Sequence, residues 1–235
     1  MADTGHSVEA GAGRIRHLHR WDVTTKEAVA LQRELREQLQ LQPNLEVVKR
    51  VAGVDVSFRK GQAQAAVVVL SLSSLEPVDR AWAKLPITFP YVPGYLTFRE
   101  GPAVLAAFER LTLWPDLVVF DGQGIAHPRR MGLAAHLGLF LDLPSIGCAK
   151  SRLCGTHDPP GPERGDWAPL YDGDEVIGAV LRSRPGTKPL YVSPGHRMDL
   201  PTAVHYVMAC CSRYRLPETT RWAHRLAGEG RSSVS

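Results

Sequence analysis

The chain of 235 residues is long enough for one large globular domain, and its 44% hydrophobic and 22% charged residues exclude a wholly disordered protein. No apolar run approaches the ~18–20 residues that a membrane-spanning helix needs, and the amino terminus lacks the basic-then-apolar pattern of a signal peptide. We therefore expect a soluble, cytoplasmic protein. The net charge of +4 is by itself weak evidence for an anionic partner.

The first half of the chain predicts one helix and then several strands. Residues 1–14 show no periodicity and are expected to form a disordered lead-in to a single domain over residues 15–235. A helix follows, capped by Thr24 or Thr25 and ended by Pro43, with leucines at helical spacing. Three β-rich runs then predict an antiparallel meander joined by hairpins: EVVKRVAGVDVSF, AQAAVVVLSL and PVDRAWAKLPITF.

Helices and apolar strands alternate in the second half. A helix over residues 98–113 precedes DLVVF, a wholly apolar run typical of a strand in a sheet covered on both faces. A helix over about 130–141 leads to the strand PSIGCA, and residues 156–167 read as loop. Short strands in APLYD, EVIGAVLRS and PLYVS precede closing helices over about 200–213 and 217–227. This order predicts an α/β fold, a mixed sheet with an initial antiparallel meander, flanked by helices.

Two aspartates occur within or at the end of apolar strands. Asp55 interrupts VAGVDVSF, and Asp121 ends DLVVF. A buried carboxylate must find a cation or strong donors, and ligands collect at the carboxyl ends of strands in open α/β sheets. Together with Glu100, early in the helix between them, these aspartates predict an oxygen cage for Mg²⁺. For Asp55 alone, a strand-end aspartate facing solvent is the alternative.

The segment FPYVPGYLTFRE places Tyr91 in a stiff, proline-rich turn. Prolines reduce the number of conformations of the turn, so a rigid aromatic ring on a basic protein could wedge into a base stack. A buried tyrosine in a connection is the alternative. Lys150 ends a strand near the same sheet edge, where it could meet a phosphate. Two histidines near the carboxyl terminus, His196 and His224, are equally conspicuous, and spacing does not choose between them.

Other site classes are excluded or left undecided. DGQGIAHP has His127 where a dinucleotide fingerprint needs its third glycine, and no Walker or serine-hydrolase motif occurs. The four cysteines show no zinc or disulfide spacing and are expected to be buried thiols. Three basic stretches, within residues 127–152, 182–197 and 213–235, either form one phosphate-binding surface or are scattered, and charge alone does not decide.

Seven segments together closely resemble the bacterial endonuclease V family, the deoxyinosine-directed repair nucleases. They stand in the family's order over residues 19–225: HRWD, VAGVDVSF, ITFPYVPGYLTFREGP, LVVFDGQGIAHPRRMGLAAHLGLFLDLPSIGCAKSRLCG, LYDGDEVIGAVLRS, VSPGHRMD and RLPETTRWAH. The resemblance implies a ribonuclease H-like fold. It also implies hydrolysis of the second phosphodiester bond 3′ to deoxyinosine, leaving 3′-hydroxyl and 5′-phosphate ends, with Mg²⁺ or, in its place, Mn²⁺.

The resemblance also implies roles for residues of this chain. Asp55 and Asp121 match the metal-binding aspartates, and Glu100 matches the helix glutamate of the active site. Lys150 matches the active-site lysine, and His224 lies where relatives carry a histidine or an aspartate, as ligand or outer-sphere helper. The positions that match the strand-separating wedge and the pocket for an extruded base are Tyr91, Pro93, Gly94, Leu96, Gly122 and His127.

The expected partner is DNA that contains deoxyinosine or other deaminated or mismatched bases, bound by a monomer. Hypoxanthine mispairs, so its extrusion costs less than that of a well-paired base. Two alternatives stay open. One is the same chemistry on inosine-containing RNA, since contacts to the 2′-hydroxyl are not visible in a sequence. The other is a non-catalytic module that binds mismatched or branched DNA. The three acidic residues Asp55, Glu100 and Asp121 argue against this alternative, because a binding module has no need of them.

Overall fold

The structure is a computed structural model that describes residues 14–229, without the side chain of Glu229. The predicted lead-in therefore lies outside the described residues except for Arg14. No helix within residues 14–229 is long and apolar enough to cross a membrane.

The described part of the chain contains eight strands and five helices, which are joined by loops. In chain order they are α1 Thr25–Arg36, β1 Arg50–Arg59, β2 Gln62–Ser71, β3 Pro77–Pro86, α2 Leu96–Phe108, β4 Leu117–Phe120, α3 Leu133–Leu141, β5 Ser145–Ala149, β6 Trp167–Asp172, β7 Glu175–Leu181, β8 Leu190–Pro194, α4 Leu200–Ala209 and α5 Glu218–Glu229.

All eight strands form one mixed sheet in the order β3-β2-β1-β4-β5-β8-β7-β6. β1 and β5 each pair parallel to β4, and the other neighbouring strands pair antiparallel. The sheet therefore begins with the antiparallel meander β1-β2-β3 that the hairpin signals predicted. The predicted α/β fold, with a mixed sheet and flanking helices, is confirmed.

Helices cover both faces of the sheet, which explains the wholly apolar β4. Val118 and Phe120 pack in a core with residues of α2 and α3. Leu117 and Val119 pack in a second core with residues of α4 and α5. Because successive side chains of a strand point to opposite faces, a strand between two helical layers must be apolar at every position.

Helix ends differ from the sequence-based ranges by several residues. Thr24 caps α1 in a capping box with Glu27, as the threonine signal predicted, but α1 ends at Arg36, well before Pro43. The helix predicted from about residue 130 begins only at Leu133, because Arg130 adopts a left-handed conformation with φ of 57°. Similarly, α2 ends at Phe108 and α4 at Ala209.

Candidate active site

Three of the predicted site residues lie on neighbouring parallel strands where the pairing with β4 ends. Asp121 and Lys150 follow β4 and β5, whereas Asp55 lies within β1, which continues beyond this level. Val54 of β1 pairs with Phe120 of β4, so Asp55 and Asp121 follow at the same level of the sheet. Lys150 follows β5, the next parallel strand, and its Nζ donates a hydrogen bond to Oδ2 of Asp121. The structure thus brings these three side chains together as the strand-end rule predicted.

His224 reaches this edge because α5 packs unusually close to β1. A Cβ on Gly53 would lie 2.2 Å from the backbone oxygen of Thr219, so only glycine permits this approach. Nδ1 of His224 lies 3.4 Å from Oδ2 of Asp55. The histidine side chain is 69% exposed, whereas that of Asp55 is 16% exposed. His196 is buried elsewhere, 3.6 Å from Asp142, so the structure favours His224 between the two candidates.

Glu100 is buried on α2 and interacts electrostatically with both aspartates. Burial raises the pKa of Glu100 to about 8, and the negative charges of Asp55 and Asp121 add to the rise. The pKa of Asp55 is also raised, chiefly by burial and further by Asp121, against the opposing effects of His224 and Lys150. Asp55 and Asp121 thus raise the pKa of Glu100, and Asp121 raises that of Asp55, so negative charge is concentrated at this edge, where a cation would be stabilised.

The donor chemistry of the site fits a hard divalent cation held by two carboxylates. Mg²⁺ is commonly bound by one or two protein carboxylates, with water and substrate phosphates completing its shell. Within residues 14–229 no three His, Cys, Asp or Glu side chains are arranged to hold a metal ion. Asp55 and Asp121 are therefore the two carboxylates that would hold the cation, with Glu100 buried on α2.

A cavity of about 340 Å³ opens beside Asp121 and Lys150. Its volume is that of a small-molecule site. Eight of the residues proposed from the sequence line it, together with several that the sequence did not single out. The eight are Tyr91, Pro93, Gly94, Leu96, Asp121, Gly122, His127 and Lys150.

The turn before α2 presents Tyr91 to solvent. Pro93 and Gly94 occupy the central positions of the turn, which is closed by a 3.1 Å hydrogen bond from the N–H of Tyr95 to the carbonyl of Val92. Gly94 has φ of +82°, as the third residue of a type II turn requires. Tyr91 is 73% exposed, so the alternative of a buried tyrosine is wrong.

His127 lines the cavity, but both its ring nitrogens contact protein atoms. The backbone N–H of Arg129 donates to Nδ1 over 3.1 Å, and Nε2 lies 3.0 Å from the carbonyl oxygen of Gly94. Burial lowers the pKa of His127 to about 4, so its ring is neutral near pH 7. This histidine therefore supports the wall of the cavity and the turn at Gly94.

Gln123 is a cavity residue that the sequence analysis did not single out. Its side chain is buried, and Nε2 donates to the carbonyl of Ser151 over 3.0 Å. This bond fixes the orientation of the amide, and Oε1 has no hydrogen-bond partner among the described residues. The sequence signal that could have identified Gln123 is its place between two glycines in DGQG. A polar side chain in a glycine-rich loop at the end of a strand is well placed to contact a ligand.

The basic stretches are divided between structural and exposed residues. Arg130 forms salt bridges with Asp172 and Glu175. Arg197, Arg215 and Arg221 are likewise used in bonds within the protein. Exposed basic side chains remain in all three stretches, at Arg152, Arg184, Lys188, Arg213 and Arg225.

The cysteines are free thiols, and three are buried as expected, whereas Cys154 is half-buried.

Known proteins similar to this chain agree on one family. A family model described as Endonuclease V matches residues 33–225. Endonuclease V of Roseiflexus sp. (strain RS-1) is 56% identical over 211 residues, which are 90% of this chain and 95% of that protein. The crystal structure of Endonuclease V from Streptomyces avermitilis superimposes with a TM-score of 0.86 at 45% identity, covering 89% of this chain and 94% of that one.

A more distant structural neighbour contains nucleic acid. It is Endonuclease V of Ciona intestinalis in complex with a 24mer DNA that contains an inosine followed by a ribo-adenosine. The match has a TM-score of 0.75 at 28% identity and covers 89% of this chain and 98% of that one.

Proposed function

Because the chain belongs to the endonuclease V family of DNA repair nucleases, with their ribonuclease H-like fold, we propose that it cleaves DNA at the second phosphodiester bond 3′ to deoxyinosine. The products would be 3′-hydroxyl and 5′-phosphate ends. The observation that carries the proposal is the junction of the cavity with the acidic cluster. Asp121 and Lys150 line the cavity and also belong to the cluster with Asp55. A base held in the cavity therefore brings its own strand to the carboxylates.

Asp55 and Asp121 would hold Mg²⁺, and Mn²⁺ should substitute for it. When bound, the cation would withdraw charge from the phosphate and lower the pKa of the attacking water. Lys150 orients Asp121 through its hydrogen bond, and its ammonium adds positive charge where a phosphate would lie. His224 orients Asp55 through Nδ1, and its largely exposed ring can exchange a proton with substrate or solvent. Glu100, buried on α2, in its ionised form adds negative charge beside the pair that would hold the cation.

The cavity would receive the extruded base and read its Watson–Crick edge. Hypoxanthine presents an N1–H donor, where adenine presents an N1 acceptor. The unpartnered Oε1 of Gln123 can accept a hydrogen bond from N1–H, whereas adenine would leave two acceptors facing each other. The complex of the Ciona relative with DNA that contains an inosine supports inosine-containing DNA as the substrate class.

A nicking assay on duplexes containing inosine, uracil or xanthine, with the cleavage position mapped, tests the proposal. Asp55→Asn and Asp121→Asn should abolish nicking in Mg²⁺ while binding to inosine DNA in Ca²⁺ survives within about tenfold, since asparagine keeps the shape but weakens the cation site. Asp158→Asn, at an exposed position, is the matched control and should nick normally. Substantial cleavage by either site variant would refute the metal assignment.

Inosine-containing RNA is the second candidate substrate. The DNA bound to the Ciona relative carries a ribo-adenosine directly after the inosine, so a ribonucleotide is accommodated there by a relative. Matched DNA and RNA oligonucleotides with one inosine separate the two substrates. If inosine DNA is bound in Ca²⁺ but not cleaved in Mg²⁺ or Mn²⁺, the chain is a binding module instead.

We also propose that residues 15–235 act as one domain and as a cytoplasmic monomer. The single sheet that joins all eight strands supports the domain assignment. Light scattering of the purified protein would measure its mass in solution against the 25.8 kDa of one chain.

A further inference from the structure

The carbonyl oxygen of Gly94, in the turn beside Tyr91, is surrounded by three hydrogen-bond donors. Nε2 of Gln32 donates to it over 3.0 Å, and Nη2 of Arg129 donates over 2.8 Å. Nε2 of His127 lies 3.0 Å away. Because Nδ1 of this neutral ring accepts the N–H of Arg129, the proton is on Nε2, which makes His127 the third donor.

Gln32 reaches the turn from α1, which is distant in sequence, and all its polar groups are used. Its Nε2 also donates to the carbonyl of Met131 over 3.2 Å, and its Oε1 accepts from Nε of Arg129 over 2.5 Å. The side chain is 1% exposed. A buried amide whose donors and acceptor are all satisfied has one defined position, so Gln32 is a rigid support.

The same contacts fix the backbone of the turn. The guanidinium of Arg129 lies over the ring of Tyr95, 4.5 Å from its centre, so it holds the turn on two sides. A Cβ on Gly94 would lie 3.0 Å from Nη2 of Arg129, which shows how closely the donors surround this residue. Tyr91 stands three residues before Gly94 and is largely exposed, so its direction depends on the conformation of the turn.

We propose that Gln32 is a positioning residue for strand separation. With Arg129 it fixes the Pro93-Gly94 turn, and thereby holds the ring of Tyr91 where it enters the base stack. Gln32 touches no nucleic acid in this scheme and acts through the turn. The inference rests on the proposed function for its substrate, inosine-containing duplex DNA.

The test compares Gln32→Met with wild type on duplex and on single-stranded inosine DNA. Methionine has a volume similar to that of glutamine but cannot form the hydrogen bonds of Gln32 to Gly94, Met131 and Arg129. We expect kcat/KM for nicking to fall about tenfold on the duplex, within the range for loss of one base–aromatic stack, and less than about threefold on the single strand, which has less stack to open. Ala30→Gly is the control, because Ala30 is exposed on α1 and its replacement weakens the helix by helix propensity without removing a bond to the turn.

Two further measurements separate positioning from general destabilisation. Amide hydrogen exchange of the N–H of Tyr95, which closes the turn, should be faster in Gln32→Met and unchanged in Ala30→Gly. In the Tyr91→Ala background, Gln32→Met should cause no additional loss on the duplex, because the ring that it positions is already absent.

Each outcome decides the proposal. Equal loss on duplex and single strand, additive loss with Tyr91→Ala, or unchanged exchange at Tyr95 would overturn it. If wild-type protein cleaves no inosine substrate, the proposed function fails. The exchange measurement still decides whether Gln32 fixes the turn.

Discussion

Replacing Gly53 with alanine tests whether the close approach of α5 to β1 places His224. The added Cβ would lie 2.2 Å from the backbone oxygen of Thr219, while ordinary van der Waals contact begins at 3.4 Å. The helix must therefore move by about 1 Å, and it carries His224 away from Asp55, which is now 3.4 Å distant. Such overpacking costs about 1–3 kcal/mol of stability, and a shift of this size in a catalytic group can lower the rate about 10- to 100-fold.

Single-turnover nicking of an inosine duplex, well below the Tm of each variant, measures the effect on chemistry. Circular dichroism melting measures the effect on stability. The matched control is Gly228→Ala on the same helix, where an added Cβ meets nothing within 4 Å and should leave nicking unchanged. Wild-type nicking by a destabilised Gly53→Ala protein would refute the assignment of His224, because the displaced histidine would then be dispensable.

Three other predictions concern the wedge, the basic surface and a buried histidine. Tyr91→Ala should lose about 5- to 150-fold in affinity for an inosine duplex, because base–aromatic stacking contributes ~1–3 kcal/mol, whereas Tyr91→Phe should lose little. Anisotropy in Ca²⁺ measures both, and equal losses on single-stranded DNA would contradict a wedge. If the five exposed basic residues each contact a phosphate, the logarithm of the association constant for undamaged DNA should fall with the logarithm of the salt concentration, with a slope of about −4 to −5. A slope near zero would show that these residues do not bind the DNA backbone. Burial lowers the pKa of His136 far below its usual value. Below pH ~6.5 the unfolded chain therefore binds a proton at this histidine that the folded chain does not bind. The contribution of this histidine to the free energy of unfolding is highest at neutral pH and falls on acidification. His136→Phe should therefore reduce the loss of unfolding free energy between pH 7 and pH 5 in urea titrations, with His205→Phe at an exposed position as control. An unchanged pH dependence would show that His136 also binds its proton in the folded state.

Features that depend on neighbouring residues in the chain could be predicted from the sequence. The apolar run of β4 indicated a strand covered on both faces, and the structure places helices on both sides of it. Thr24 indicated the start of α1, and the Pro93-Gly94 pair indicated a tight turn. Asp121 could be placed at the carboxyl end of a buried strand, and Asp55 lies at the same level because β1 runs parallel to β4, although β1 itself continues to Arg59.

Tertiary packing decided what these local rules leave open. Spacing treated His196 and His224 alike, and only the contact of α5 with Gly53 brings His224 to Asp55. The bonds of Gln32 to Gly94 and Arg129 join segments 62 and 97 residues apart, and nothing in the sequence near Gln32 indicates them. The sequence also did not determine which arginines face solvent and which bind a carboxylate of the protein. Arg130 is of the second kind, since it forms salt bridges with Asp172 and Glu175. Local patterns specify secondary structure because their interactions lie within a turn or a strand, whereas side-chain partners depend on which distant surfaces pack closely enough to meet.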